Sequence, residues 1–280
     1  MKKIFANCLL LIACCFASCD KIEQPYLHQP TASPNDSTGQ KVRKVLIEDF
    51  TGHKCPNCPK AAIAIENLKN TYPEKIISIA IHCDFYAMPS AAPYDYDFRT
   101  PQGDAIEQFF GGVPFQPVGL INRKGYPNPG DYWMDYAKWA DTVSAILTRT
   151  PDADIKITNS YNSSMRQLST TIRTEFLKQM SGNYKLTVLL TEDSIIKAQK
   201  DGTVDVLNYV HRHVLRDGIT STIWGDALTI AGDTAVNAYN YTLPPTFKGL
   251  APNENLCYVV AYVYDATTYE VIQAEEKKIK

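Results

Sequence analysis

The sequence predicts an α/β domain over residues 41–150, followed by an all-β, sandwich-like domain over residues 151–280. In the first part, an apolar run of strand length at 44–50 precedes a segment at 57–72 with apolar residues at helical spacing and a β-branched run at 76–81. Strand, helix and buried strand in this order indicate a βαβ unit. In the second part, alternating and β-branched segments separated by turn residues are typical of an antiparallel sandwich.

Shorter signals predict the other elements of the α/β part. Residues 118–121 form an apolar run of strand length, and turn-forming residues follow at 122–125. Asp131 is placed to cap a helix whose apolar residues fall on one face. Thr150-Pro151 closes the domain.

The β part contains four predicted strand segments and a terminal hairpin. The segments are residues 155–157, 168–177, 184–191 and 204–215. Residues 256–264 and 269–279 flank a turn and predict the hairpin.

Composition describes a folded protein without a nucleic-acid partner. The 280 residues are 45% hydrophobic and 21% charged, which supplies enough apolar material for a packed core. Lys and Arg number 28 against 30 Asp and Glu, a net charge of -2, so the basic surface that duplex binding needs is not expected.

The N-terminus predicts export and lipid anchoring. A short basic head at Met1-Lys2-Lys3 precedes an apolar run from Ile4 to Ala17, which is too short to span a bilayer. Residues 1–18 are therefore predicted to be a signal peptide. This segment ends in Phe16-Ala17-Ser18-Cys19, which resembles a bacterial lipobox. The resemblance predicts a lipid on Cys19 that anchors the protein to the membrane. The alternative is an ordinary signal peptide that contains cysteines.

Residues 19–40 are predicted to be a disordered tether. Pro25, Pro30 and Pro34 lie among small polar residues, with few large apolar side chains and no clear periodicity. Beyond Cys19, the mature chain keeps Cys55, Cys58, Cys83 and Cys257 in a compartment where disulfides persist.

The most informative motif is Cys55-Pro56-Asn57-Cys58, which lies between the first predicted strand and its helix. Unpaired amides at a helix N-terminus favour a thiolate, and Lys54 adds positive charge, so Cys55 is predicted to be an exposed nucleophile with a lowered pKa. Cys58, one turn further in, then resolves a mixed disulfide. A permanent disulfide and half of a zinc site are the alternatives.

These residues resemble the thioredoxin-like fold. Asp49, six residues before Cys55, occupies the place of that fold's buried acid, which accepts a proton from the resolving cysteine. Pro117 precedes a strand, as that fold's cis-proline does; the resemblance implies a cis Gln116-Pro117 bond that contacts Cys55 and helps to hold the extended backbone of a substrate. The predicted helix after Asp131 matches the helix that closes the fold. Lys54 replaces the fold's usual Trp.

The chain as a whole is similar to the twenty-eight-kilodalton outer-membrane-protein family of Gram-negative anaerobes. The lipobox and tether carry this resemblance together with residues 48–52, 119–123 and 211–216. The resemblance implies an outer-membrane lipoprotein of the cell envelope, with a thioredoxin-like domain and a β-rich C-terminal domain.

Three other features have both a functional and a structural interpretation. His82-Cys83 ends a strand beside the motif strand, so Cys83 is a candidate zinc ligand together with His53 and the cysteine pair. A structural thiol is favoured for Cys83, and involvement in the redox chemistry is the third alternative. His211 and His213 are predicted on one strand face, where a polar face or domain contact is favoured over a metal site. Cys257 is predicted to be a small buried hydrophobe.

The sequence thus predicts thiol-disulfide exchange with envelope proteins through Cys55 and Cys58, with no cofactor and no metal. Asp49 is predicted to assist catalysis, and Gln116 and Pro117 to bind the substrate. The alternative is a non-enzymatic binding or assembly lipoprotein in which the Cys55-Cys58 disulfide is structural.

Overall fold

The computed structural model describes residues 41–125 and 128–280. The predicted signal peptide, the lipid site at Cys19 and the tether lie outside the described residues. Within residues 41–280, which form one compact unit, strands are the dominant element, and the prediction of a β-rich fold is confirmed.

The predicted strands and helices before residue 150 occur in the predicted order, and two short helices and a short strand lie among them. The elements are β1 (Val45–Thr51), α1 (Cys58–Thr71), β2 (Ile76–His82), α2 (Asp84–Ala87), α3 (Pro101–Phe109), β3 (Val118–Ile121), β4 (Met134–Asp135) and α4 (Trp139–Leu147). Ala61, Ile65 and Leu68 form the buried side of α1, which follows their helical spacing. Thr100 caps α3 by accepting a hydrogen bond from the N–H of Gly103 at 3.0 Å.

The predicted cap at Asp131 is wrong. The chain first makes the short strand β4 and a 3-10 turn at Tyr136–Lys138, and α4 begins only at Trp139. Asp135 caps the 3-10 turn, since its carboxylate accepts a hydrogen bond from the N–H of Ala137 at 2.8 Å, and α4 follows from Lys138 without a side-chain cap.

The second half is made of strands. They are β5 (Ala153–Asn162), β6 (Gln167–Phe176), β7 (Tyr184–Glu192), β8 (Ile195–Asp201), β9 (Val204–His211), β10 (Val214–Gly218), β11 (Asp226–Ala227), β12 (Thr234–Thr242), β13 (Cys257–Asp265) and β14 (Val271–Lys278). The predicted C-terminal hairpin is confirmed as the antiparallel pair β13–β14.

One large sheet joins strands from both halves of the chain. Its order is β14-β13-β7-β10-β2-β1-β3-β4, with the short β11 beside β7. The junction is parallel: Val214 of β10 lies opposite Ala80 of β2, and the Ala80 N–H donates to the carbonyl of His213 at 2.8 Å. Residues on either side of 150 therefore share a sheet.

Two further sheets complete the protein. β12, β6 and β5 form a three-stranded sheet, and its apolar side chains share a core with those of β7 and β13. β8 and β9 form a two-stranded sheet that pairs with no other strand of the described residues. This last pair, the β8–β9 hairpin, covers the cysteine motif.

The large sheet is buried on both sides around β1. Leu46 faces a core that extends to β7 and β13, whereas Val45 and Ile47 face α1 and α4. All seven residues of β1 are buried, which explains its apolar run without strict alternation.

Among the described residues, no helix is both long enough and apolar enough to cross a membrane.

Candidate functional site

The cysteine motif lies where β1 passes into α1. Cys55 and Cys58 form a disulfide, with Cα atoms 5.4 Å apart. Helix α1 begins at Cys58, and Pro59 is accepted there because the first turn needs no N–H from it. β1 and β2 are parallel, so the motif stands at the edge formed by their C-terminal ends, where open α/β sheets place binding sites.

The structure corrects the predicted exposure of Cys55. The exposed fractions of Cys55 and Cys58 are 1% and 2%, so neither residue is open to solvent. Cys55 also precedes the helix by three residues, and the helix dipole acts most directly on Cys58, the first helical residue. Sequence periodicity could not show this, because the residues that cover the pair belong to other segments of the chain, one of them about 145 positions away.

Part of the cover comes from the segment after β2. The N–H of Lys54 donates to the carbonyl of Tyr86 at 3.1 Å, and the Lys54 ammonium lies 4.8 Å from the centre of the Phe85 ring. A Cβ atom on Gly52 would be 2.5 Å from a backbone carbon of Tyr86, so only glycine allows this approach.

The other part of the cover is the β8–β9 hairpin. The N–H of Lys200 donates to the carbonyl of His53 and the N–H of Gly202 to the carbonyl of Pro56, both at 2.8 Å. The side-chain amide of Gln199 is buried and donates to the carbonyl of Cys55 at 3.0 Å. The hairpin therefore contacts the motif on both sides of Cys55.

Asp49 lies in β1 with an exposed fraction of 3%, and its Oδ1 atom has no hydrogen-bond partner. Burial raises the pKa of this carboxyl to about 7. Burial is the largest cause that raises the pKa of Tyr209 in β9, and the negative charge of Asp49 is the second. Asp49 is thus a buried acid that can gain or lose a proton near neutral pH.

Gln116 and Pro117 precede β3, which pairs with β1. The Gln116-Pro117 bond is cis, as predicted. The Gln116 amide donates to the carbonyl of Cys83 at 3.1 Å and reaches its sulfur at 3.5 Å. Cys83 is a free thiol with no exposed surface, and burial raises its pKa well above the ordinary value.

A cluster of three histidines was missed by sequence reasoning. His53, His82 and His211 are each less than 5% exposed and surround the ring of Phe98, whose centre lies 5.7, 4.4 and 4.6 Å from theirs respectively. Both ring nitrogens of His53 and His82 and Nε2 of His211 lack hydrogen-bond partners. Burial is the main cause that lowers the pKa of His53 to about 4 and of His211 to about 3, and that holds the pKa of His82 well below 6.5.

The signal that could have located two of these histidines is their position after neighbouring parallel strands. His53 follows β1 and His82 ends β2, so both lie at the same sheet edge. His211 joins them from β9, which no local pattern indicates. The expectation that His211 and His213 share a strand face is wrong, because β9 ends at His211 and His213 has a φ of +53° and pairs with Glu66.

The zinc alternative finds no support from the described residues, among which no three His, Cys, Asp or Glu side chains are arranged to hold a metal ion. Cys257 is a buried free thiol in the core between the large and the three-stranded sheets, as predicted.

The sequence also matches a known family. The family model for outer membrane protein Omp28 matches residues 104–280, more than half of the chain, and the chain therefore belongs to the Omp28 family. The predicted family is confirmed, and so is the predicted localisation to the outer membrane of the cell envelope. No curated protein matches the chain.

Two solved structures share the fold, and a third matches part of the chain. HBP35 of Porphyromonas gingivalis superimposes with a TM-score of 0.66 at 18% identity, over 86% of this chain and 76% of that chain. A protein from Agrobacterium tumefaciens has a TM-score of 0.51 at 11% identity, over 86% of this chain and 96% of that one. A domain of the outer membrane lipoprotein Omp28 from Porphyromonas gingivalis is 21% identical over 46% of this chain and 89% of that chain, with a TM-score of 0.36.

Proposed function

We propose that this outer-membrane lipoprotein exchanges disulfides with envelope proteins through Cys55 and Cys58. The observation that carries the proposal is the Cys55-Cys58 disulfide at the junction of β1 and α1, directly after a strand that contains the buried carboxyl of Asp49. A lipid on Cys19 would hold the protein at the membrane, and the tether of residues 19–40 would let the folded part reach its partners.

Local architecture supports a thioredoxin-like arrangement of residues 41–150. β1, α1 and β2 form the βαβ unit, a cis-proline precedes β3, and α4 packs on the sheet face that also carries α1. These are the features that the sequence resemblance implies. Gln116 and Pro117 are proposed to align the extended backbone of a substrate beside the cysteine pair.

The exchange conserves atoms and electrons. A thiolate of the partner attacks one sulfur of the Cys55-Cys58 disulfide; a mixed disulfide forms, and the other cysteine leaves as a thiolate. The second thiol of the partner then attacks the mixed disulfide. The partner dithiol is oxidised by two electrons, Cys55 and Cys58 are reduced, and two protons move from the partner thiols to the pair.

Asp49 is proposed to serve the proton transfer. Its pKa of about 7 suits a group that must both accept and release a proton at neutral pH. In the reverse direction it accepts the proton of Cys58 when that thiol resolves a mixed disulfide. Cys55 is the proposed attacking cysteine, although α1 begins at Cys58, so the experiment tests both.

The test is trapping in whole cells. Cys58→Ser should accumulate mixed disulfides through Cys55, which mass spectrometry identifies, and Cys55→Ser should accumulate fewer or none. The double variant is the control for the pair, and Cys257→Ala, in the core between the large and the three-stranded sheets, is the control for an unrelated thiol. If neither single variant captures a partner and the purified protein neither reduces nor oxidises a model disulfide protein, the proposal is wrong.

A second candidate is favoured by the burial of the pair. With Cys55 and Cys58 only 1% and 2% exposed, the disulfide could be a structural clip in a binding or assembly lipoprotein. Reduction would then lower stability without producing mixed disulfides.

A further inference from the structure

The β8–β9 hairpin places an obstacle over the cysteine pair. Lys200 and Gly202 donate backbone hydrogen bonds to the carbonyls of His53 and Pro56, and Gln199 donates to that of Cys55. These contacts join residues about 145 positions apart, as the separation of 144 between Gln199 and Cys55 shows. The hairpin therefore contacts the motif only through the tertiary fold.

Docking of this kind prevents exchange. Disulfide exchange needs a third sulfur to approach one of the two bonded sulfurs, so its rate depends on access as well as on thiol chemistry. Both cysteines are almost fully buried in the closed structure. A protein partner therefore cannot reach the disulfide until the cover moves.

The hairpin is built so that it can move without breaking a large sheet. β8 pairs only with β9 among the described strands, and neither belongs to the nine-stranded sheet. Its outer face carries Ile196 opposite Val210, with exposed fractions of 61% and 39%, so that face is not packed into a core. Displacement would cost the hydrogen bonds to the motif and the burial of the inner face.

Part of that cost is offset by the histidines. His211 ends β9, and it is buried with His53 and His82 around Phe98 with five ring nitrogens unpaired across the three rings. Buried polar atoms without partners destabilise the closed arrangement, and they regain hydrogen bonds with water when the site opens. The closed hairpin is therefore less stable than a fully satisfied contact of the same area.

We propose that the β8–β9 hairpin is a gate that closes over the Cys55-Cys58 disulfide and must swing away before any thiol can react with it. This inference rests on the proposed function, of which it names the regulation. Opening itself changes no covalent bond. The exchange that follows is the reaction given above, in which a dithiol reductant gains a disulfide and the pair gains two electrons and two protons.

Lys200 offers a matched pair of variants. Lys200→Pro removes the N–H that donates to His53, and Lys200→Ala keeps that N–H; both lose the exposed side-chain contact with Asp205. Because this N–H points to the motif and not into the hairpin ladder, proline removes a docking bond while sparing the β8–β9 pairing. Gln199→Ala is a second variant, which removes the side-chain donor to Cys55.

The measurement is the rate at which dithiothreitol reduces Cys55-Cys58 in the folded, full-length lipoprotein in detergent, followed by alkylation and mass spectrometry. Lys200→Pro should be reduced about two- to tenfold faster than Lys200→Ala, the change expected for the loss of one net hydrogen bond from the closed state. Gln199→Ala should be faster than wild type by a similar factor. Circular dichroism at the same temperature verifies that each variant is folded.

Hydrogen exchange gives an independent measurement in the unmodified protein. The amides of Lys200 and Gly202 should be protected from exchange. Their opening free energy should equal RT times the natural logarithm of the factor by which folding slows disulfide reduction. Equal reduction rates in wild type, Lys200→Ala, Lys200→Pro and Gln199→Ala would overturn the gate, as would unprotected amides at both positions.

The two proposals fail separately. If Cys58→Ser captures partners while Lys200→Pro and Lys200→Ala are reduced at equal rates, the gate is overturned and the exchange function stands. If Cys58→Ser captures none while Lys200→Pro is reduced faster, the hairpin controls access to the disulfide and the exchange function fails.

Discussion

Removing the carboxylate of Glu48 should destabilise the protein strongly, because it leaves a charge unpaired in the centre of the large sheet. Glu48 in β1 and Arg123 after β3 are 0% and 1% exposed. Arg123 donates from Nε and Nη2 to the two carboxylate oxygens at 2.7 and 2.6 Å, and from Nη2 to the Tyr262 hydroxyl at 2.7 Å. Arg123 therefore links Glu48 in β1 to Tyr262 in β13, which lies in the other half of the chain.

The magnitude follows from the asymmetry of buried ion pairs. Forming such a pair yields little net stability, since desolvation offsets the attraction, but deleting one partner costs about 3–5 kcal/mol because the other charge stays buried. Burial would lower the pKa of Arg123, but the neighbouring Glu48 carboxylate raises it above its ordinary value, so the guanidinium keeps its charge. For a chain of this size, a loss of about 4 kcal/mol corresponds to a fall in Tm on the order of 10 °C.

The variant is Glu48→Gln, measured by urea and thermal unfolding at pH 7 under oxidising conditions. Glu276→Gln is the control, because Glu276 pairs with Lys69 at 3.1 Å near the surface and its loss should cost less than about 1 kcal/mol. A double variant, Glu48→Leu with Arg123→Met, removes both charges and should recover most of the lost stability.

Two results would refute this reasoning. A loss below about 1 kcal/mol for Glu48→Gln would show that water or another group compensates Arg123. A double variant as unstable as the single one would show that the loss comes from packing and not from the unpaired charge.

Three further outcomes are expected. Asp49→Asn should raise the free energy of unfolding by about 4 kcal/mol at pH 8 and by less at pH 5. The pKa of Asp49 rises from 3.8 to about 7 on folding, so its ionised form destabilises the folded protein above pH 7. A gain in urea unfolding that is independent of pH would contradict this. In that Asp49→Asn background, the free energy of unfolding should fall as the pH drops from 6.5 toward 4. Folding lowers the pKa values of His53, His82 and His211, so the unfolded chain binds more protons over this range. A flat profile would show that the histidines titrate normally. Gly52→Ala should lower the free energy of unfolding by about 1–3 kcal/mol, because its Cβ atom would lie 2.5 Å from a backbone carbon of Tyr86 and would displace the segment that covers the cysteine pair. Thermal melts unchanged from wild type would disprove that contact.

Local pattern was sufficient for elements whose stabilising contacts lie close in sequence. The βαβ unit and the C-terminal hairpin follow from runs and turns within some 40 residues, and the structure contains both. Cys257 is buried as its apolar surroundings indicated. The cap at Asp131 was wrong because two acidic residues precede α4, and only the three-dimensional path of the chain places Asp135 at the start of the 3-10 turn that leads into the helix.

The sequence alone determined the family, the localisation in the cell envelope and the presence of a cysteine pair at a strand-to-helix junction, because short motifs encode each of these. Tertiary structure decided whether the pair is accessible. Its cover comes from the β8–β9 hairpin, and the histidine cluster needs His211 from the same hairpin beside His53 and His82. Such contacts depend on the pairing of β10 with β2, which brings Val214 to Ala80, and long-range strand pairing leaves no periodic trace in either segment.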